Sequence, residues 1–99
     1  MESFVAKVPK DLVDLVPTFL KNRKADATAL EHALEAQDMA RIRELAERIY
    51  ALGVPYGFRQ LTTLGREIQD AAKARDVGTL RTSIKAYSDY VARVQVDYQ

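Results

Sequence analysis

The apolar residues of this 99-residue chain recur every three or four positions, the spacing that places side chains on one face of an α-helix. Four such stripes follow one another, and their members are Leu12, Leu15, Val16, Phe19, Leu30 and Leu34; Ile42, Leu45, Ile49 and Leu52; Leu61, Leu64, Ile68 and Ala72; and Leu80, Ile84, Tyr87, Val91 and Val94. No stretch of useful length alternates with the period of two that a half-buried strand shows. The 4 glycines and 3 prolines are also too few for the many tight turns of an all-β protein. The sequence therefore predicts an all-α fold without strands.

Proline, glycine and aspartate mark the predicted helix boundaries. Pro17 interrupts the first stripe, and proline is tolerated in a first helical turn but not further in. We therefore expect a short helix around residues 10–15 and a longer one over residues 17–36. Asp38 and Asp76 are suitable N-caps for the helices that follow them, and residues 53–57 (Gly-Val-Pro-Tyr-Gly) form the clearest break. Short connections between amphipathic helices are typical of an antiparallel four-helix bundle, here with a short extra N-terminal helix.

Charge and composition argue against several classes of function. The 15 basic and 14 acidic residues give a net charge of +1, so no overall field favours nucleic acid or an anionic membrane. The absence of cysteine excludes disulfides, thiol nucleophiles and cysteine-ligated metal sites. The apolar runs are far shorter than the ~20 residues that span a bilayer, and the N-terminus does not resemble a signal peptide. We expect a single domain over residues 1–99, located in the cytoplasm, with no nucleic-acid or membrane partner.

The residues that usually carry catalysis or hold a cofactor are scarce. There is one histidine, and there is no HExxH, CxxC or glycine-rich phosphate-binding motif. His32 lies two positions from both Leu30 and Leu34, which places it on the helix face away from the core. Glu31 and Glu35 are spaced i,i+4, but the Glu-x-x-His pairs of di-iron bundles are absent. We expect no catalytic residue, no metal and no cofactor.

The second of the long predicted helices carries an unusual outer face. Successive residues are ~100° apart, so Glu47 lies diametrically opposite the core stripe of its helix. Outer faces are normally charged and long-chained, whereas small and aromatic residues surround this glutamate. Its neighbours are Ala40, Arg43, Ala51 and Val54, with Glu44 and Tyr50 slightly further round. Small residues allow close approach and an exposed tyrosine is a common interface anchor, so the face contacts either a partner protein or another segment of the same chain.

Residues 45–58, which include this glutamate, resemble the signature of the histidine-containing phosphotransfer (HPt) domain. That signature is a histidine followed by x-hydrophobic-Lys-Gly-small-small-x-x-hydrophobic-Gly-hydrophobic and then a leucine-rich helix. The similarity continues through Gly53, residues 56–58, Leu61, residues 64–65 and 68–69, and it includes segments 15–20, 33–38 and 71–76. It covers nearly the whole chain and implies the antiparallel four-helix bundle of that family.

The chain departs from the family at the residues that perform its chemistry. The phosphoacceptor histidine falls at Glu47, the lysine three positions later at Tyr50, and the following glycine at Ala51. The imidazole nucleophile and the phosphoryl-binding cation are lost, and the space for the partner is reduced. The resemblance implies a degenerate, non-catalytic HPt-like signalling module of two-component phosphorelay systems. Its partner would be a response-regulator receiver domain or a sensor histidine kinase, bound through Arg43, Glu47, Arg48, Tyr50, Ala51, Val54 and Gln69.

Two alternatives remain open at the level of the sequence. One is an active phosphotransfer protein that uses His32 as an atypical acceptor, and the other is a generic helical adaptor or a piece of a larger protein. The flanks of His32 resemble no phosphoacceptor site.

Receiver domains gather acidic residues around a metal ion, so Glu47 would meet like charge there unless the metal offsets it. Complementary charge is available from Arg43, Arg48, Arg59 and Arg66.

Two residues of the third long helix are singled out for their position. Gly65 lies inside a predicted helix, where glycine costs ~1 kcal/mol relative to alanine, and close approach of another helix is the simplest explanation. Gln69 follows one turn later. The family arrangement implies that its side chain reaches the neighbourhood of Glu47 from the adjacent helix.

Overall fold

Four helices account for most of residues 4–99, the part of the chain that the computed structural model describes. They are α1 (Val16–Glu35), α2 (Met39–Gly53), α3 (Arg59–Lys73) and α4 (Val77–Arg93). Two strands lie near the ends of this range, β1 at Val5–Val8 and β2 at Gln95–Tyr98. None of the helices in this range combines the length and apolar composition that a membrane span requires. The prediction of a mostly helical fold with four main helices is confirmed.

The predicted helix starts are confirmed by their caps. Asp38 accepts a hydrogen bond from the backbone N–H of Arg41 at 3.0 Å and so satisfies a free donor in the first turn of α2. Asp76 accepts from the backbone N–H of Thr79 at 3.1 Å and from its hydroxyl at 2.6 Å. These bonds from Thr79 hold the pKa of Asp76 below its usual value. The predicted break at residues 53–57 is the connection between α2 and α3.

The predicted helix around residues 10–15 is wrong in its extent. The chain makes only a 3-10 turn at Lys10–Leu12, and none of the residues in this turn is buried. Pro17 stands in the first turn of α1, where a missing N–H donor costs nothing. Only Leu12 of this segment packs partly against the core, while Val13 and Leu15 are exposed, so a longer helix here would have little apolar surface to bury.

The prediction that the chain lacks strands is also wrong. β1 and β2 pair in parallel, with Val5 opposite Gln95 and Val8 opposite Tyr98. In each strand alternate residues are the more buried, but four residues provide too few periods to recognise the pattern in a sequence. Val94, which we assigned to the stripe of the last helix, is already extended with a ψ of 133°. The sheet brings the two ends of the described range together.

The predicted core stripes meet in one hydrophobic core, except that Leu15 of the first stripe is exposed. α1 packs against α2 and α4, and α3 packs against the same two helices. The residues predicted to point inward are Ile42, Leu45, Ile49, Leu52, Leu61, Leu64, Ile68, Leu80, Ile84, Tyr87 and Val91. All of them are buried except Leu52, which is half-buried. The contact between α2 and α3 is the most extensive in the fold, and it positions the surface described next.

Candidate functional site

The outer face of α2 is open to solvent. Glu47, Arg43 and Ala51 are all exposed. Tyr50 and Val54 are exposed as well, and they retain 41% and 56% of their accessible surface although both carry large apolar groups. No segment within residues 4–99 covers this face. The sequence left two possible contacts for it, a partner protein or another segment of the same chain, and the second is excluded for the described part of the chain. We call these five residues, with Gln69, the Glu47 surface.

Close packing between α2 and α3 forms the base of this surface. A Cβ atom at Gly65 would lie 2.7 Å from the backbone N of Tyr50 and 2.9 Å from the carbonyl O of Ala46, so only glycine fits. The Thr62 hydroxyl donates to the carbonyl of Tyr50 at 3.1 Å and accepts from the N–H of Val54 at 3.1 Å. The backbone that carries Tyr50 is therefore held against α3. The expectation that Gly65 allows close helix approach is confirmed.

Glu47 stands between two shallow depressions. The first has a volume of about 220 Å³, and its lining residues are Ala40, Arg43, Glu44, Glu47 and Gln69. The second has a volume of about 440 Å³, and its lining residues are Arg41, Glu44, Glu47, Arg48 and Ala51. The first depression brings Gln69 of α3 beside Glu47 of α2. Within residues 4–99 the Glu47 carboxylate forms no ion pair.

Arg48, which we predicted as part of the binding surface, is directed towards α1. Its guanidinium donates to the Oδ1 atom of Asp26, a carboxylate that is only 4% exposed. The other oxygen of Asp26 accepts from Nε of Arg23 at 2.9 Å. The hydroxyl of Tyr87 in α4 donates to the carbonyl of Arg23 at 2.7 Å. Arg48 therefore joins α1, α2 and α4, and its charge is already used within the molecule.

A sequence signal for this buried network lies in the apolar stripe of α1. Phe19, Arg23, Asp26 and Leu30 follow one another at intervals of four, three and four, so the two charged residues occupy inward positions of the α1 stripe. Both are buried. Because buried charges require partners, this pattern predicts an ion pair and a third group to complete it.

Burial raises the pKa values of two tyrosines in α4. The pKa of Tyr87 lies well above its ordinary value because the phenol is buried and Asp26 is nearby. Burial raises the pKa of Tyr90 to about 12. Both groups are therefore neutral hydrogen-bonding or packing groups at physiological pH.

The other titratable groups considered from the sequence lie outside the Glu47 surface. His32, Glu31 and Glu35 are exposed on α1. Glu31 accepts a hydrogen bond from the hydroxyl of Ser88 at 3.1 Å. In the described part of the chain, no three histidine, aspartate or glutamate side chains are grouped so that they could hold a metal ion.

Comparison of the chain with protein-family models, with curated proteins and with solved structures finds no match. The function is therefore inferred from the geometry above and from the resemblance of residues 45–58 to the HPt signature.

Proposed function

We propose that this protein is a non-catalytic HPt-like signalling module of two-component phosphorelay systems. It would act in the cytoplasm and bind a response-regulator receiver domain or a sensor histidine kinase through the Glu47 surface. We further propose that its helices form the antiparallel four-helix bundle of HPt domains. Connections as short as residues 36–38, 54–58 and 74–76 favour antiparallel neighbours.

The observation that carries the proposal is an apolar surface left uncovered on a helix face that is normally polar. Tyr50 and Val54 lie one turn apart and are both exposed. Ala51 lies beside them and also is exposed. Small residues let a partner approach the α2 backbone, while tyrosine supplies a large contact area with little loss of conformational entropy. This combination fits a protein interface better than an ordinary solvated face.

The charges around this surface favour an acidic partner. Arg43 lines the same depression as Glu47. On α3, Arg66 and Lys73 are exposed and seven residues apart, which places them on one side of the helix. None of these three cations forms an ion pair within residues 4–99. Receiver domains present an acidic pocket that holds a metal ion, so we expect the metal-loaded receiver to bind, because the metal offsets its repulsion of Glu47.

The same surface lacks the groups needed for phosphoryl transfer. Glu47 stands where the HPt signature has its nucleophilic histidine. Tyr50 stands in the position of the lysine, and Ala51 in the position of the glycine that follows it. The neutral phenol of Tyr50 can donate one hydrogen bond but cannot supply a positive charge. The His32 alternative has no comparable support, because that residue lies on α1 and has no lysine–glycine pair beside it.

A binding screen tests the proposal. Receiver domains and sensor kinases from the same organism are titrated with this protein, with Mg²⁺ or EDTA and with or without beryllofluoride as a phosphate mimic. We expect at least one receiver or kinase to bind, and for a receiver the binding should weaken in EDTA. The variant Ala51→Arg should lower the affinity at least tenfold, since a long charged side chain would stand in the contact.

The matched control is Ala86→Arg, which places the same side chain on an exposed position of α4. We expect this variant to bind like the wild type. If no receiver or kinase binds, or if the two arginine variants behave alike while both remain folded, the Glu47 surface is not the interface and the generic adaptor becomes the better description.

A further inference from the structure

Within residues 4–99, the two-stranded sheet leaves one edge of β1 unpaired. The carbonyl groups of Phe4 and Val8 accept hydrogen bonds from backbone N–H groups of the C-terminal segment, both at 2.8 Å. In a parallel ladder alternate residues bond to the same neighbour, so Val5 and Lys7 direct their backbone groups away from β2. An unpaired strand edge of this kind is a template for pairing with another extended chain.

Gly57 determines which backbone groups of this edge are free. Its φ is 85°, and a Cβ at this position would lie only 2.7 Å from the carbonyl O of Lys7. The connection between α2 and α3 therefore covers that oxygen. The carbonyl of Val5 and the N–H of Lys7 remain on the open edge. A single residue of an added parallel strand can bond to both groups, because its N–H donates to the Val5 carbonyl and its carbonyl accepts from the Lys7 N–H.

A groove of about 580 Å³ runs along this edge, between β1 and the first turn of α3. Lys7, Arg59, Gln60 and Tyr90 contribute to its lining, together with the β1 backbone. Among residues 4–99, the two charged residues that line the groove are both cations, and no carboxylate lines it. Neither cation forms an ion pair within residues 4–99. The groove thus combines a free strand edge with uncompensated positive charge.

We propose that this groove binds an extended acidic segment of a partner protein, which adds to β1 as a third, parallel strand. Its backbone would bond to the Val5 carbonyl and the Lys7 N–H, and its carboxylates would lie near Lys7 and Arg59. Alternate side chains of the added strand share the face of the buried Ala6 and are therefore apolar. The site lies apart from the Glu47 surface, so it does not depend on the function proposed above.

Titration of the ¹⁵N-labelled protein with three synthetic peptides tests this proposal. Each is a capped seven-residue peptide in which valine alternates with glutamate, glutamine or lysine. We expect the glutamate peptide to shift the amide signals of Val5 and Lys7 and to bind at least tenfold more tightly than the glutamine peptide. The lysine peptide should not bind, and added salt should lower the affinity of the glutamate peptide.

The double variant Lys7→Glu/Arg59→Glu should lose at least tenfold in affinity for the glutamate peptide. The double variant Lys24→Glu/Lys85→Glu has the same net charge but changes exposed residues outside the groove lining, so its affinity should stay within twofold of the wild type. The proposal is overturned if no peptide shifts the β1 amides or if the two double variants bind equally. It is also overturned if sedimentation shows a dimer and the β1 amide signals shift with protein concentration, since a second copy of the chain would then occupy the edge.

Discussion

Replacing Gly65 by alanine should force α2 and α3 apart, because the added methyl group has no space between the two helices. Its Cβ would lie 2.7 Å from the N of Tyr50 and 2.9 Å from the O of Ala46. Both are backbone atoms, so no side-chain rotation relieves the overlap. Overpacking of this kind typically costs about 1–3 kcal/mol, occasionally more, while alanine regains about 1 kcal/mol of helix propensity. The overpacking cost minus the gain in helix propensity is about 0–2 kcal/mol. We expect the free energy of unfolding to fall by the upper value, about 2 kcal/mol.

The assay is reversible urea and thermal unfolding followed by far-UV circular dichroism. A loss of about 2 kcal/mol corresponds to a fall of roughly 8–16 °C in Tm for a domain of this size. The matched control is Gly78→Ala in α4, where a Cβ has only ordinary contact with Asp76 at 3.7 Å and no backbone neighbour. This variant should be unchanged or more stable. If both variants gain stability, the close packing of α2 on α3 at Gly65 is refuted.

Further predictions concern the core, the buried ion pairs and alkaline pH. Ile49 is fully buried, so Ile49→Ala should lower the free energy of unfolding by about 2–5 kcal/mol, and a loss under about 0.5 kcal/mol would contradict its assignment to the core. Asp26→Ala should cost about 3–5 kcal/mol because it leaves the buried Arg23 unpaired. Arg48→Ala should cost clearly less, since Arg23 still pairs with Asp26, and equal losses in urea unfolding would refute this order. The pKa of Tyr87 is raised in the folded protein. The stabilisation by its protonated phenol is therefore fully present below about pH 10, and above that pH the free energy of unfolding falls by up to about 1.4 kcal/mol per pH unit. Tyr87→Phe should make this alkaline slope shallower in denaturation curves recorded from pH 8 to 11.5, and an unchanged slope would contradict the assignment.

The helices could be predicted because their signals are local. The stripe through Ile42, Leu45 and Ile49 needs only one helix to be recognised, and the caps at Asp38 and Asp76 depend on backbone donors three residues away. The exposed position of the Glu47 surface follows from the same periodicity, because it is the face opposite a buried stripe. These features were therefore accessible without knowledge of the tertiary structure.

The features that the sequence did not reveal depend on contacts between distant segments. Arg48 pairs with Asp26, 22 residues earlier on another helix, and periodicity assigned it only to the outer half of α2. The strand at Val5–Val8 is formed because it pairs with residues 95–98 at the other end of the chain. A four-residue segment has no strand signal of its own, since most of its stabilisation comes from that pairing and from the burial of Ala6 and Val8.

The proposed origin of the chain as a degenerate HPt domain predicts that its lost chemistry can be restored. The triple variant Glu47→His, Tyr50→Lys and Ala51→Gly supplies a nucleophile, a cation and clearance for the partner together. All three positions are exposed, so folding should be little disturbed apart from about 1 kcal/mol for glycine in a helix. Glu47→His alone should accept phosphate only weakly, because the cation and the clearance would still be missing.

The most direct test is transfer of labelled phosphate from phosphorylated receiver domains to this triple variant in a His32→Ala background, with the wild-type chain as control. We expect acid-labile label on the variant and none on the wild type. A folded variant that accepts no phosphate from any receiver able to phosphorylate ordinary HPt domains would contradict it, and so would label on the wild-type chain that is lost in His32→Ala.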